Sequence, residues 1–222
     1  MKRSFADLIV TPNVFFQQLM VEKENIRMPG LIVLAAGIIA AAYAYLIGGL
    51  TAKLMAGILP GLETIITLTS VIGAFIATFI IWILASGLFY AFSFAFGGKG
   101  QFNRMLEAVG YGYLPQVFGT IINLIVASVF LPRVIIPNLA AASTQDPQVM
   151  LDATKALMHD PAMMSLTQIT SFVSIVFLLW SANIWIFGVK YSRGLSLRDA
   201  AICVLVPAVG YSLYSMYVLT VI

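Results

Sequence analysis

Apolar residues in this chain do not alternate with polar ones; they gather in five long blocks, at about 29–50, 65–92, 113–131, 161–187 and 200–222. A helix rises about 1.5 Å per residue, so about 20 apolar residues cross a hydrocarbon core about 30 Å thick. Inside that core no water satisfies backbone amides, and a crossing segment is either helical or part of a closed barrel. Unbroken apolar blocks exclude the alternating pattern of barrel strands. The pattern therefore predicts an all-α, polytopic membrane protein with five transmembrane helices. Pro29 and the pair Asp160-Pro161 suit helix starts, where a missing N–H is harmless and a carboxylate can cap. The stretch Ile65–Phe96 has no charge in 32 residues, enough to tilt or to project beyond the bilayer.

Polar segments between the blocks set the orientation. Lys2, Arg3, Lys23, Arg27, Lys99, Arg104, Lys190, Arg193 and Arg198 fall on one side, while Lys53, Arg133 and Lys155 fall on the other. Basic residues are retained in the cytoplasm, so the N-terminus is expected inside and, after an odd number of spans, the C-terminus outside. Residues 1–27 then form a cytoplasmic amphipathic arm and residues 28–222 a five-span membrane domain. No signal-peptide core precedes the first block, which reads as a permanent span. In the arm, Ser4 with Asp7 resembles a capping box, and Thr11-Pro12 restarts a helix carrying Phe15, Phe16, Leu19 and Met20. That helix either lies flat in the interface or packs beneath the spans. On the outer side, Asp146-Pro147 starts another helix, with Val149, Met150, Ala153, Leu157 and Met158 on one side to cover the spans.

Composition sharpens this reading. The chain is 61% hydrophobic and 9% charged, against roughly 45–50% and about 25% for soluble domains. Its formal charge of +3, placed beside apolar blocks, points to anionic lipid headgroups rather than nucleic acid. A single cysteine, Cys203, and a single histidine, His159, give neither an internal disulfide nor a metal-ligand set. No nucleophile–base arrangement or carboxylate pair is discernible, so no enzyme and no cofactor are expected. None of the blocks carries a central charge, the usual mark of an ion-coupled path. Asn123 and Asn183 are read as interhelical hydrogen-bond formers, worth about 1 kcal/mol each. Alternatively they line a small uncoupled channel or transporter for a neutral or lipid-like solute. Gly37, Ala40, Ala41, Ala42 and Ala44 let another helix approach the first span closely, which permits a homo-oligomer without requiring one.

The segment after the second block carries the densest signal. Phe96-Gly97-Gly98-Lys99-Gly100 is followed by Arg104, Glu107 and Gly110-Tyr111-Gly112-Tyr113-Leu114-Pro115. Gly97, Gly98 and Gly100 allow a tight turn at the membrane face, with Lys99 and Arg104 at headgroup level and Tyr111 and Tyr113 as interfacial anchors. A nucleotide loop would need different spacing and a Ser or Thr after the lysine. Lys99, Arg104, Tyr111, Tyr113, Lys190, Arg193 and Arg198 form the candidate lipid- or partner-binding face. The alternative is a plain turn with snorkelling side chains. A faint repeat, Phe96-Gly97-Gly98-Lys99 against Phe187-Gly188-Val189-Lys190 with Pro115 and Pro207 following, suggests two similar hairpins.

The glycine–lysine turn, the Phe102–Arg104 stretch, the Tyr-Gly-Tyr-Leu-Pro segment and five spans after a short arm together resemble the Yip-domain family of Ypt/Rab-interacting membrane proteins, in a compact prokaryotic form. The likeness covers roughly residues 5–220 and is densest over 96–119. It implies a five-helix membrane domain with a cytosolic N-terminus in a prokaryotic cell membrane. It also implies a membrane-organising or trafficking-like adaptor, non-enzymatic, which binds partners through its cytoplasmic face. Where the family has an acidic Asp-Leu-x-Gly-Pro signature this chain has Arg27-Met28-Pro29-Gly30, and GTPase binding is not carried over.

Overall fold

The computed structural model describes residues 5–57, 59–137 and 147–221, and no strand occurs among them. The helices are α1 (Phe5–Val10), α2 (Pro12–Leu19), α3 (Arg27–Met55), α4 (Glu63–Phe94), α5 (Phe102–Tyr111), α6 (Leu114–Phe130), α7 (Pro147–Met158), α8 (Pro161–Arg193) and α9 (Leu197–Val221). A single 3₁₀ turn, Leu131–Arg133, follows α6. Four stretches among the described residues are long and apolar enough to cross a membrane: Arg27–Met55, Glu63–Phe94, Phe102–Arg133 and Pro161–Arg193. The fifth expected span coincides with α9, much of whose C-terminal side-chain placement lies outside the described residues. Ser4 and Asp146, the two other expected capping residues, also lie outside them.

The chain divides into two compact units. The first comprises residues 1–36, 79–117 and 177–222; the second comprises 37–78 and 118–176. Thus α3, α4, α6 and α8 each contribute a segment to both. The first unit holds the larger core, in which Leu8, Phe15, Phe16 and Leu19 of the arm are buried with Met105, Ala108 and Val109 of α5, Ile184 and Val189 of α8, and Cys203 and Val204 of α9. The arm is therefore packed, not laid flat: Phe15 stands edge-on to Tyr111 at 5.1 Å. Such aromatic pairs add about 0.5–1.5 kcal/mol beyond the area they bury. Thr11 starts α2 without a side-chain cap; its hydroxyl instead donates to the Asp7 carbonyl at 3.3 Å, closing the preceding turn.

In the second unit α7 covers the end of α3, with Leu54 and Ala153 buried against Ile136, Val149 and Leu157. Asp160 is the cap its sequence position predicts. Its Oδ1 accepts the amides of Ala162 and Met163 at 2.9 and 3.1 Å, and its Oδ2 accepts the amide of Ile135 at 3.2 Å. The Met163 amide foremost, then those of Ile135 and Ala162, hold the carboxyl below its ordinary range against the opposing effect of burial.

The two quartets that suggested a repeat are not equivalent. Phe96–Lys99 forms the turn after α4, whereas Phe187–Lys190 lies within α8. Gly188 is retained there because Ala108 and Phe16 approach where a Cβ would sit, at 3.2 and 3.4 Å. Pro115 is in the first turn of α6, while Pro207 is interior to α9. What α4 and α8 do share is their ending. Gly97 and Gly194 both adopt positive φ, 70° and 65°. Gly98 N–H bonds to Ser93 O at 2.9 Å and Leu195 N–H to Lys190 O at 3.0 Å, the six-to-one closure of a left-handed helix cap.

Candidate functional site

The surface singled out in the sequence is built by the first unit, around the ends of α4 and α8. Gly97 ends α4, Gly98–Gly100 turn the chain, and Gln101 leads into α5. Gly100 has φ 125°, and a Cβ there would strike the Ser192 carbonyl, so only glycine fits. Arg193, the last residue of α8, holds this turn and is 1% exposed. Its Nε donates to Ser93 Oγ at 2.7 Å, one terminal nitrogen to Gly98 O at 2.7 Å, and the other to Gly100 O. In return the Lys99 amide donates to Arg193 O at 2.8 Å. No carboxylate pairs with this arginine among the described residues. Its charge is balanced otherwise. The guanidinium lies 4.1 Å from the Tyr90 ring centre and 4.9 Å from that of Phe94, and it sits where two helices present their negative ends.

A second knot joins α5 to the arm. Glu107 is 1% exposed and accepts Arg104 Nη1 at 2.6 Å and the Asn25 amide at 3.2 Å. Arg104 also donates to Glu22 O at 2.6 Å and to Leu19 O at 3.4 Å, closing the free carbonyls after α2. Asn13 of α2 is tied to α8, accepting Tyr191 Oη at 2.8 Å and Lys190 Nζ at 3.4 Å.

The third element is the Gly-Tyr-Gly-Tyr segment. Trp82 Nε1 donates to Leu106 O at 3.0 Å and Trp185 Nε1 to Val109 O at 2.8 Å, so two indoles bond the last turns of α5. The glycines admit them: a Cβ on Gly110 would meet Pro29 and the Trp82 indole, and one on Gly112 would run into the Trp185 indole.

The seven residues of the expected face thus divide. Lys99 and Arg198 are exposed and Lys190 is half-buried, whereas Arg104 is mostly covered and Arg193, Tyr111 and Tyr113 are buried. Tyr111 and Tyr113 serve as packing groups, against Phe15 and against Trp185 at 5.9 Å, not as interfacial anchors. Arg104 and Arg193 hold the surface rather than form it. Of the two asparagines, Asn123 donates to Ser174 Oγ at 3.0 Å within the second unit, and Asn183 is exposed on the first. Glu107, Trp82 and Trp185 carry this site as much as the basic residues do. No local pattern flagged them, although a glutamate three residues after an arginine in an otherwise apolar stretch was a usable sign.

The sequence profile of the Yip1 domain matches residues 6–219, nearly the whole chain. The chain belongs to the Yip1 domain family. It is a membrane protein with several transmembrane-capable helices. A relative, an uncharacterised protein of Methanocaldococcus jannaschii, is 30% identical over 125 residues, covering 54% of this chain and 86% of the relative. No solved structure gives a significant match. The match to a compact archaeal protein fits a short prokaryotic form of this family. Within the Yip1 domain the glycine–lysine turn and the Gly-Tyr-Gly-Tyr segment are two parts of one packed surface, joined by Arg193 and the two tryptophans.

Proposed function

We propose that this Yip1 domain protein is a non-enzymatic organiser of the membrane that acts through its cytoplasmic face. In this reading it has five spans, lies in a prokaryotic cell membrane, and keeps its N-terminus inside. The face presents Lys99, Lys190 and Arg198 to anionic headgroups or to a partner. The observation that carries the proposal is the clamped turn: its backbone is fixed by Arg193 while the Lys99 side chain at its tip stays exposed. A rigid turn loses little entropy when it binds, so its cation is well placed for recognition. The excess of Lys and Arg on this side supports the same orientation.

The test is reconstitution into vesicles of mixed anionic and zwitterionic lipid. The wild-type chain is expected to change vesicle size without solute leakage, and a Lys99→Ala/Lys190→Ala/Arg198→Ala variant to lose that effect while still inserting. Solute-specific leakage by the wild-type chain, or an unaltered effect of the triple variant, overturns the proposal.

A further inference from the structure

The second unit contains a recess of about 400 Å³, far from any residue of the proposed face in sequence and lined entirely by that unit. Small-molecule sites have volumes of about 300–1,000 Å³, so it is large enough to hold part of a ligand. Its walls come from α3 (Tyr45, Leu46, Gly49, Leu50), from α4 (Thr67), from α6 (Ala127, Ser128) and from the 3₁₀ turn and the irregular segment after it (Leu131, Ile136). Lys53, at the end of α3, supplies the only charge in the lining.

The hydrogen-bond inventory of these walls selects a ligand. Thr67 Oγ1 donates to Glu63 O at 2.9 Å and Ser128 Oγ to Ile125 O at 2.7 Å. Both hydroxyl protons are committed to the helix backbone. The Lys53 ammonium is exposed and forms no ion pair among the described residues; it offers up to three donors. Tyr45, 61% exposed, adds a phenol two turns earlier on α3. An apolar trough whose one cation has no ion-pair partner among the described residues repels cations and complements an anionic group carrying a hydrocarbon tail. The wall is held in place. Ile136, which lines the recess, follows Ile135, whose amide is fixed by Asp160, and Ile136 also packs against the Leu54–Ala153 cluster under α7. Gly49 opens the floor: a Cβ there would find nothing within 4 Å.

We infer that this recess binds an anionic lipid, its headgroup phosphate on Lys53 and the start of one acyl chain along Leu46, Leu50 and Leu131. A whole lipid exceeds the volume, so its remaining chain would lie in the surrounding bilayer. The inference does not rest on the proposed cytoplasmic face.

The test uses the full chain purified in detergent, titrated with phosphatidylglycerol or phosphatidylcholine and read by native mass spectrometry. One tightly held phosphatidylglycerol is expected, with phosphatidylcholine weaker. Lys53→Met should weaken phosphatidylglycerol about tenfold. Gly49→Leu, whose Cβ meets nothing within 4 Å and whose side chain takes up space in the recess, should abolish the tight adduct, while Gly87→Leu, equally open at Cβ in the first unit, should not. The Lys99→Ala/Lys190→Ala/Arg198→Ala variant should keep the adduct, which separates failure of this site from failure of the face. Equal binding in Gly49→Leu and wild type overturns the inference, as does equal preference for the two lipids. Displacement by inorganic phosphate alone would show an anion site without a tail and overturn it too.

Discussion

Arg193 shows how one side chain can be misread by position and explained by contacts. At the end of a long apolar helix, beside Lys190, an arginine reads as a headgroup anchor. Its partners lie about a hundred residues upstream, at Ser93, Gly98 and Gly100, and no local pattern can announce a bond across that separation. The planar guanidinium reaches three acceptors in different directions, which an ammonium cannot do from one point. Arg193→Ala leaves the Gly98 and Gly100 carbonyls and the Ser93 hydroxyl without this partner, and an unsatisfied buried group costs about 1–3 kcal/mol. The expected outcome is a clear loss of thermal stability in detergent, with Arg193→Lys recovering only part of it. A variant as stable as wild type would mean that the turn holds itself.

At the level of elements, the apolar blocks located the long helices well, but α3, α4 and α8 outrun their blocks. The 65–92 block became Glu63–Phe94 and the 161–187 block became Pro161–Arg193. Hydropathy marks what can lie in lipid, whereas caps and glycines decide where a helix stops: Asp160 begins α8 and Gly194 ends it. The next connection is equally explicit, since Ser196 Oγ accepts the Asp199 amide at 3.2 Å and donates to its carboxylate at 2.7 Å, capping α9. Helix α5 was the element least legible. Tyr111 and Tyr113 suggested anchors and Gly110 and Gly112 suggested nothing specific, yet the reason for these two glycines is the pair of indoles that dock on α5 from 24 and 76 residues away in sequence. Gly112→Ala is therefore expected to push Trp185 off Val109 O, red-shifting tryptophan emission and lowering the melting temperature. Gly30→Ala, at a site with open space around it, should change neither. Unshifted emission in Gly112→Ala would argue that the indole seat adapts.

Across the whole chain, the membrane class and family were readable because they depend on bulk quantities and on one dense motif. The spacing of Arg104 and Glu107 was visible in the sequence but their burial against the arm was not, and the recess beside Lys53 was not readable, since both depend on segments brought together only by folding. Cys203, the single cysteine of the chain, is fully buried in the core of the first unit. A thiol reagent added to the intact protein is expected to leave it unmodified until detergent denaturation; labelling of the native chain would contradict that packing. With its lone thiol shielded in this way, the wild-type chain already provides a silent background for topology mapping. Cysteines introduced singly at Lys99 or at Lys53 could report which leaflet each faces, with no native sulfur to remove first.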